Sequence, residues 1–176
     1  PRPRLARQGL RVALGLVLCI SVGVGIRSCL RQPASVRFKG CVSDETLSLA
    51  GSPWTGTELP YLRGSVLPVD KKTGAVDDRL YDAMPRSLRA GDPGDVQTVL
   101  AIERGAELIG LYGGPGGRGG ARVETCYVVI VDVQGRRVVG AQTFSAPPPP
   151  SESSMSVFMA LKDRDIVEWI EGLPRK

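Results

Sequence analysis

The clearest pattern of apolar and polar positions lies in "RVETCYVVIVDVQGRRVVGAQTF". Residues 123–133 form a long β-branched run, "QGR" supplies a turn, and residues 138–144 return. This pattern predicts an antiparallel hairpin. A hairpin so apolar must pack one face on something. The natural partner is "DRDIVEWIEGL", where Ile166, Trp169, Ile170 and Leu173 recur at i, i+3, i+4 and i+7, one face of a helix. Asp163 or Asp165 can cap its N-terminus, and Gly172 with Pro174 ends it. Upstream, "RGSVLPVD" predicts a short strand and "KKTG" a turn. "YDAMPRSLRAGDPGD" reads as a loop with one helical turn. In "VQTVLAIERG", Val96, Thr98, Leu100 and Ile102 share one face and Val99 and Ala101 the other, a period of two that predicts a strand, with a short helix as the alternative. "AELIGLY" is expected as a second strand, reached through a tight turn at Gly105. The expected fold class over residues 61–176 is α+β: a small antiparallel β-meander of four or five strands with a C-terminal helix packed on one face. A small β-barrel closed by that helix is the alternative.

Before this domain the pattern is different. Residues 12–26 are 15 uncharged, mostly apolar positions between Arg11 and Arg27. As a helix they would extend about 22 Å at ~1.5 Å per residue, short of a bilayer core of about 30 Å. Flanking arginines can lift their charges to the headgroups, and Leu10 and Leu30 lengthen the apolar body. Small residues suited to secretory cleavage, Gly23 and Gly25, fall inside the run. Residues 1–31 are therefore expected to be a basic N-terminus with a single transmembrane anchor, the alternatives being a cleaved signal and a buried helix. Arg2, Arg4, Arg7 and Arg11 precede the run, and Arg27 and Arg31 follow closely. That bias places the N-terminus inside and the domain on the extracytoplasmic side of the cell membrane. Residues 32–60, rich in Pro, Gly, Ser and Thr without sustained period, are expected to be a flexible tether. Trp54 is the exception there and is expected to pack on the domain, the alternative being a place at the membrane interface.

Charge and missing residue types narrow the function. The chain carries a net +5, but residues 1–40 hold eight of the 23 Lys and Arg and none of the 18 Asp and Glu. The remainder thus has 15 basic and 18 acidic side chains, a net −3. A nucleic-acid partner would need clustered Lys and Arg on the folded surface, so none is expected. There is no histidine, which removes Ser-His-Asp and Cys-His nucleophiles and imidazole zinc sites. The four cysteines, Cys19, Cys29, Cys41 and Cys126, contain no CxxC pair. No metal, cofactor or catalytic residue is assigned.

The remaining motifs have bland readings. "GGPGGRGG" contains a formal GxGxxG at Gly114, Gly116 and Gly119, but a strand follows where a dinucleotide loop needs a helix, so a hairpin loop is expected. Asp70, Asp77 and Asp78 in "DKKTGAVDD" do not match a calcium loop and read as a solvated turn. Asp77 or Asp78 could meet another carboxylate for acid–base work. "APPPPSESS" reads as a stiff spacer between hairpin and helix. Cys126, inside a strand, is expected to be buried, and export would permit a Cys41–Cys126 disulfide tying the tether to the sheet.

The stretches "LPVDKKTGAVDDRLYDAMPRSLRAGDPGDVQTVLAIERG", "VVIVDVQGRRVVGAQTFSAPPPP" and "DIVEWIEGLPRK" resemble a group of uncharacterised bacterial membrane-anchored proteins. That group shares a "TG.VD" turn, an "LP..LRA..P.DV.TV" stretch, a hairpin ending in "TF" before prolines and a terminal "LPR". The likeness covers about residues 63–176 and implies one bacterial domain without implying an activity. The expected function is a membrane-tethered, non-catalytic envelope domain that binds a protein or surface partner. An apolar surface patch beside the glycine loop would favour it. The alternatives are an envelope hydrolase using paired carboxylates and a small-ligand carrier with a cavity between sheet and helix.

Overall fold

Val128, Val129, Ile130 and Val131 are all 0 % exposed, which requires apolar cover on both faces of their strand. They belong to a computed structural model that describes residues 32–114, 117–150 and 156–176. The expected anchor at residues 12–26 lies outside the described residues. Among those described, no helix is long and apolar enough to cross a membrane.

The elements in order are α1 (Ala34–Arg37), α2 (Asp44–Ala50), β1 (Ser65–Asp70), α3 (Asp78–Ala83), β2 (Val96–Gly114), β3 (Gly117–Asp132), β4 (Arg137–Ser145), β5 (Val157–Met159) and α4 (Asp163–Glu171), with a 3-10 turn at Pro93–Asp95. The sheet has five strands in the order β1-β2-β3-β4, and β5 takes the edge of β3 that β4 leaves free. β1 lies parallel to β2, and β5 parallel to β3, while β2, β3 and β4 are antiparallel. The class is mixed α and β with a C-terminal helix, as expected, but the pure antiparallel meander is corrected to a mixed sheet. A parallel pair needs a long crossover between its strands. Here residues 71–95, with α3, provide it.

Each face has its own core. On one, Leu100, Ile102, Cys126, Val128 and Ile130 meet Leu80, Met84, Leu161, Ile166 and Ile170. Trp169 and Leu173 complete the helical face read from the sequence. Burying Ile166 and Ile170 contributes about 1.5–3 kcal/mol each. On the other face, Val99, Ala101, Val129 and Val131 meet Ala34, Phe38, Ala50, Tyr81 and Ala90. Residues 34–50, expected as part of a flexible tether, thus form two short helices against the sheet. Ser43 starts α2 as its N-cap, accepting the Thr46 N–H at 3.2 Å.

Two local expectations are corrected. β2 runs straight through Gly105, with no turn, because Gly105 pairs with Thr125 and a side chain there would sit 3.1 Å from the Thr125 hydroxyl. Neither Asp163 nor Asp165 caps α4, since Lys162 holds the N-cap position without a side-chain hydrogen bond. The "QGR" turn is present, with Arg136 in the left-handed region at φ 48°. Buried Asp132 organises it, accepting from Gly135 N and the Tyr61 hydroxyl, each at 2.9 Å, with Arg63 Nε 3.5 Å away.

Candidate functional site

β2 changes surroundings at Ile102. β1 has ended, and the next residue after it, Lys71, donates its N–H to the Ile102 carbonyl at 2.8 Å. From residue 103 onward β2 is paired only with β3 among the described residues. The outer halves of β2 and β3 form a two-stranded arm. One edge of it carries alternate backbone N–H and C=O groups with no strand to meet them.

The arm exposes large apolar side chains. Leu108, Ile109 and Leu111 are 52 %, 47 % and 77 % exposed, and Phe158 of β5 is 57 % exposed. Residues directly opposite across a sheet share a face. Leu108 pairs with Arg122, and Arg122 with Phe158, so the three form one row across three strands. Leu111 pairs with Gly120, two residues from Arg122, and so lies on the same face. A bulge makes this possible: the register shifts between Leu108 and Gly110, leaving Ile109 unpaired and bringing residues three apart to one side. Leu108 leans over Gly120, where a side chain would come within 3.1 Å of its Cδ1. The arm is strapped to the connection before α4 by Tyr112, whose hydroxyl donates to the Pro150 carbonyl at 2.7 Å, and by Gly120 N, which donates to Ser156 Oγ at 3.2 Å.

A clasp of charges holds the foot of the arm. The Arg104 guanidinium reaches Asp163 at 2.8 Å, Asp77 at 3.2 Å and Glu124 at 3.3 Å. Arg79 pairs with the same Asp163 and donates to the Leu161 carbonyl at 2.9 Å. Glu124 also accepts from Leu161 N at 2.9 Å, and Asp77 caps α3 through Leu80 N at 2.9 Å. Burial works against the Arg104 charge, but the hydrogen bond to Asp163 and the charges of Asp77 and Asp163 outweigh it, and the Arg104 pKa is raised. The clasp brings Asp77 together with Glu124 and Asp163, the convergence that paired-carboxylate chemistry needs. Each of the three is engaged by a guanidinium, the bonding of a fastener for α3 and α4.

The other residues singled out in the sequence go elsewhere. Asp78 accepts from Ser35 N at 2.9 Å, docking α1. Asp70 closes its own turn, accepting from Thr73 N and Thr73 Oγ1 at 2.8 Å and Lys72 N at 3.0 Å. Of the GxGxxG, Gly114 ends β2 and Gly119 lies in β3, which begins at Gly117, while Gly116 lies outside the described residues. Cys41 and Cys126 are not joined: both are free thiols, and they pack into the cores on opposite faces of the sheet. Burial is the main cause pushing the Cys126 thiol up to about 11, and burial raises Cys41 as well. Ile166 and Ile170 fill the space between sheet and α4, and Trp169 packs edge-on against Phe144 at 5.5 Å. Among the described residues no group of three or more Cys, Asp or Glu is placed to hold a metal ion.

The sequence named neither the clasp nor the arm. An alternating "AELIGLY" shows a strand but not that both its faces are bare. Comparison of the chain with protein-family models, curated proteins and solved structures finds no match.

Proposed function

We propose that the domain binds a protein partner, receiving an extended segment along the open edge of the β2–β3 arm. The observation that carries this reading is the coincidence of an unpaired strand edge with the exposed Leu108–Arg122–Phe158 row and Leu111. An added strand satisfies the edge through its backbone, and its alternate side chains read the face beside it. Arg122, set between Leu108 and Phe158, favours an acidic side chain flanked by apolar ones on the partner. The wider reading places this domain outside the cell membrane on a single-pass anchor at residues 12–26, supported by the arginines that bracket that run. No catalytic step is part of it.

The test is selection from a library of displayed random octapeptides against the full-length protein, with its mass in detergent measured in parallel. The reading expects enriched peptides without proline, apolar at alternate positions and carrying one Asp or Glu. Leu111→Asp and Phe158→Asp should each weaken them at least about tenfold, near 1.4 kcal/mol. Helically spaced peptides, or binding indifferent to both substitutions, would overturn it. A dimer abolished by Leu111→Asp would replace the foreign partner with a second copy, and flotation with anionic vesicles abolished by the same change would replace it with a lipid surface.

A further inference from the structure

Away from the arm's edge lies an open cleft of about 290 Å³ whose lining includes Trp54, Thr55, Thr57, Glu58, Tyr61 and Arg137, most of them exposed. The 54–58 loop has no helix or strand, yet it is shaped. A side chain at Gly56 would come within 2.7 Å of the Trp54 indole nitrogen, so the indole lies against the Gly56 backbone. Pro60, just after the loop, seats on β4 at Gly140, where a side chain would come within 2.6 Å of the Pro60 ring. Trp54, half-buried, forms one wall of the cleft.

The floor is polar and already satisfied. The Tyr61 hydroxyl donates to buried Asp132 at 2.9 Å and accepts from Arg137 Nη2 at 3.1 Å. Asp132 is further held by Arg63, and Lys176 lies 4.0 Å from the centre of the Tyr61 ring. One cation thus pairs with the buried aspartate directly, and two more gather on the tyrosine that donates to it. Arg137 spends one donor on Tyr61, and its remaining N–H groups have no acceptor among the described residues. Its pKa is raised first by the hydrogen bond to Tyr61, with the Glu58 charge also contributing. Glu58 therefore lies within electrostatic reach of Arg137, but the two make no salt bridge. The cleft holds a guanidinium and a carboxylate that stand apart, with two threonines and an indole beside them.

We propose that this cleft binds a small carboxylate that also carries hydroxyl or amine donors. The ligand's carboxylate takes the free fork of Arg137, the geometry guanidinium suits best. Its donors go to Glu58 and the threonines, and its body lies on Trp54. The cleft is near the lower size of small-ligand sites, about 300 Å³, so the ligand is a small one. This inference does not rest on the arm.

The test follows the two tryptophan indole N–H signals by NMR in the full-length protein during titration with lactate, gluconate, alanine, acetate and glucose. The expected result is a saturable shift of the Trp54 signal, with Trp169 unmoved, for a hydroxy- or amino-carboxylate at about 1 mM or below. Acetate and glucose, each lacking one half of the recognition, should bind at least about tenfold more weakly. Lactate and gluconate responding without alanine identifies a hydroxy acid, and the reverse an amino acid. Arg137→Gln should abolish the shift while Arg137→Lys keeps part of it, and Glu58→Gln should bring the active ligand down to the level of acetate. No saturable shift up to about 20 mM with any probe, or a shift equal in Arg137→Gln, overturns the proposal.

Discussion

The two halves of β2 are built from similar letters and live in different worlds. Residues 99–102, Val-Leu-Ala-Ile, are buried on both faces between β1 and β3. Residues 105–111, Gly-Ala-Glu-Leu-Ile-Gly-Leu, are exposed on both faces and, among the described residues, paired on one side only. The same backbone continues through Gly105 into both. What differs is the company: β1 stops at Asp70, the helices lie over the inner half, and the charge clasp at Arg104 closes the core at the boundary. Apolar content alone does not make a core, because a strand becomes interior only when something covers it. Leu108 and Leu111 are as apolar as Leu100 and stay outside.

The sharpest way to test this contrast is amide hydrogen exchange. Amides of residues 99–102 should exchange only through global opening, whereas those of 105–111 on the free edge should exchange at least about a thousandfold faster. Equal protection would mean that the edge is covered. Truncation comes next. Leu100→Ala should cost about 3 kcal/mol in urea unfolding, and Leu111→Ala less than about 0.5 kcal/mol. At the boundary, Arg104→Ala removes the cation shared by three carboxylates and should cost about 2 kcal/mol, with Asp163→Asn recovering part of that loss in the double variant. The smallest effect is set by pH. Cys126 has its pKa raised from 9.0 to about 11 by burial. Its contribution is fully present below pH 9.0 and is lost as pH rises through about 11. Cys126→Ala should flatten stability in that window, and a thiol reagent at pH 8 should modify Cys41 while sparing Cys126 in the folded protein.

Legibility in the sequence followed locality. The β3–β4 hairpin and the Ile166, Trp169, Ile170 and Leu173 face were readable because each is a short-range pattern with its own period. The run from Val128 to Val131 was readable as apolar, but its lack of alternation signals cover on both faces, and the second cover comes from α1 and α2, too short to show a period. Ser43 before Asp44 and Glu45 was the one local mark of α2. The parallel pairing of β1 with β2 left no trace, since a 25-residue crossover separates residue 70 from residue 96. Arg104, Asp77, Glu124 and Asp163 share no spacing. That Trp54 and Arg137 line one cleft was not readable, because it turns on Pro60 seating on Gly140, a contact of backbone shape.

The clasp also has a consequence in time. Arg104 is separated from its three acidic partners by 20, 27 and 59 residues, and Arg79 from Asp163 by 84. Closing such spans is slow compared with zipping the β3–β4 hairpin. The charges therefore meet only after the strands are in register. An interaction formed after the folding barrier acts on the rate of leaving the native state. In stopped-flow measurements Arg104→Ala should steepen the loss of the folded form by speeding unfolding, with the refolding rate nearly unchanged. The expected signature is a lifetime once folded that depends on Arg104, at the base of the bare strand, more than the speed of folding does.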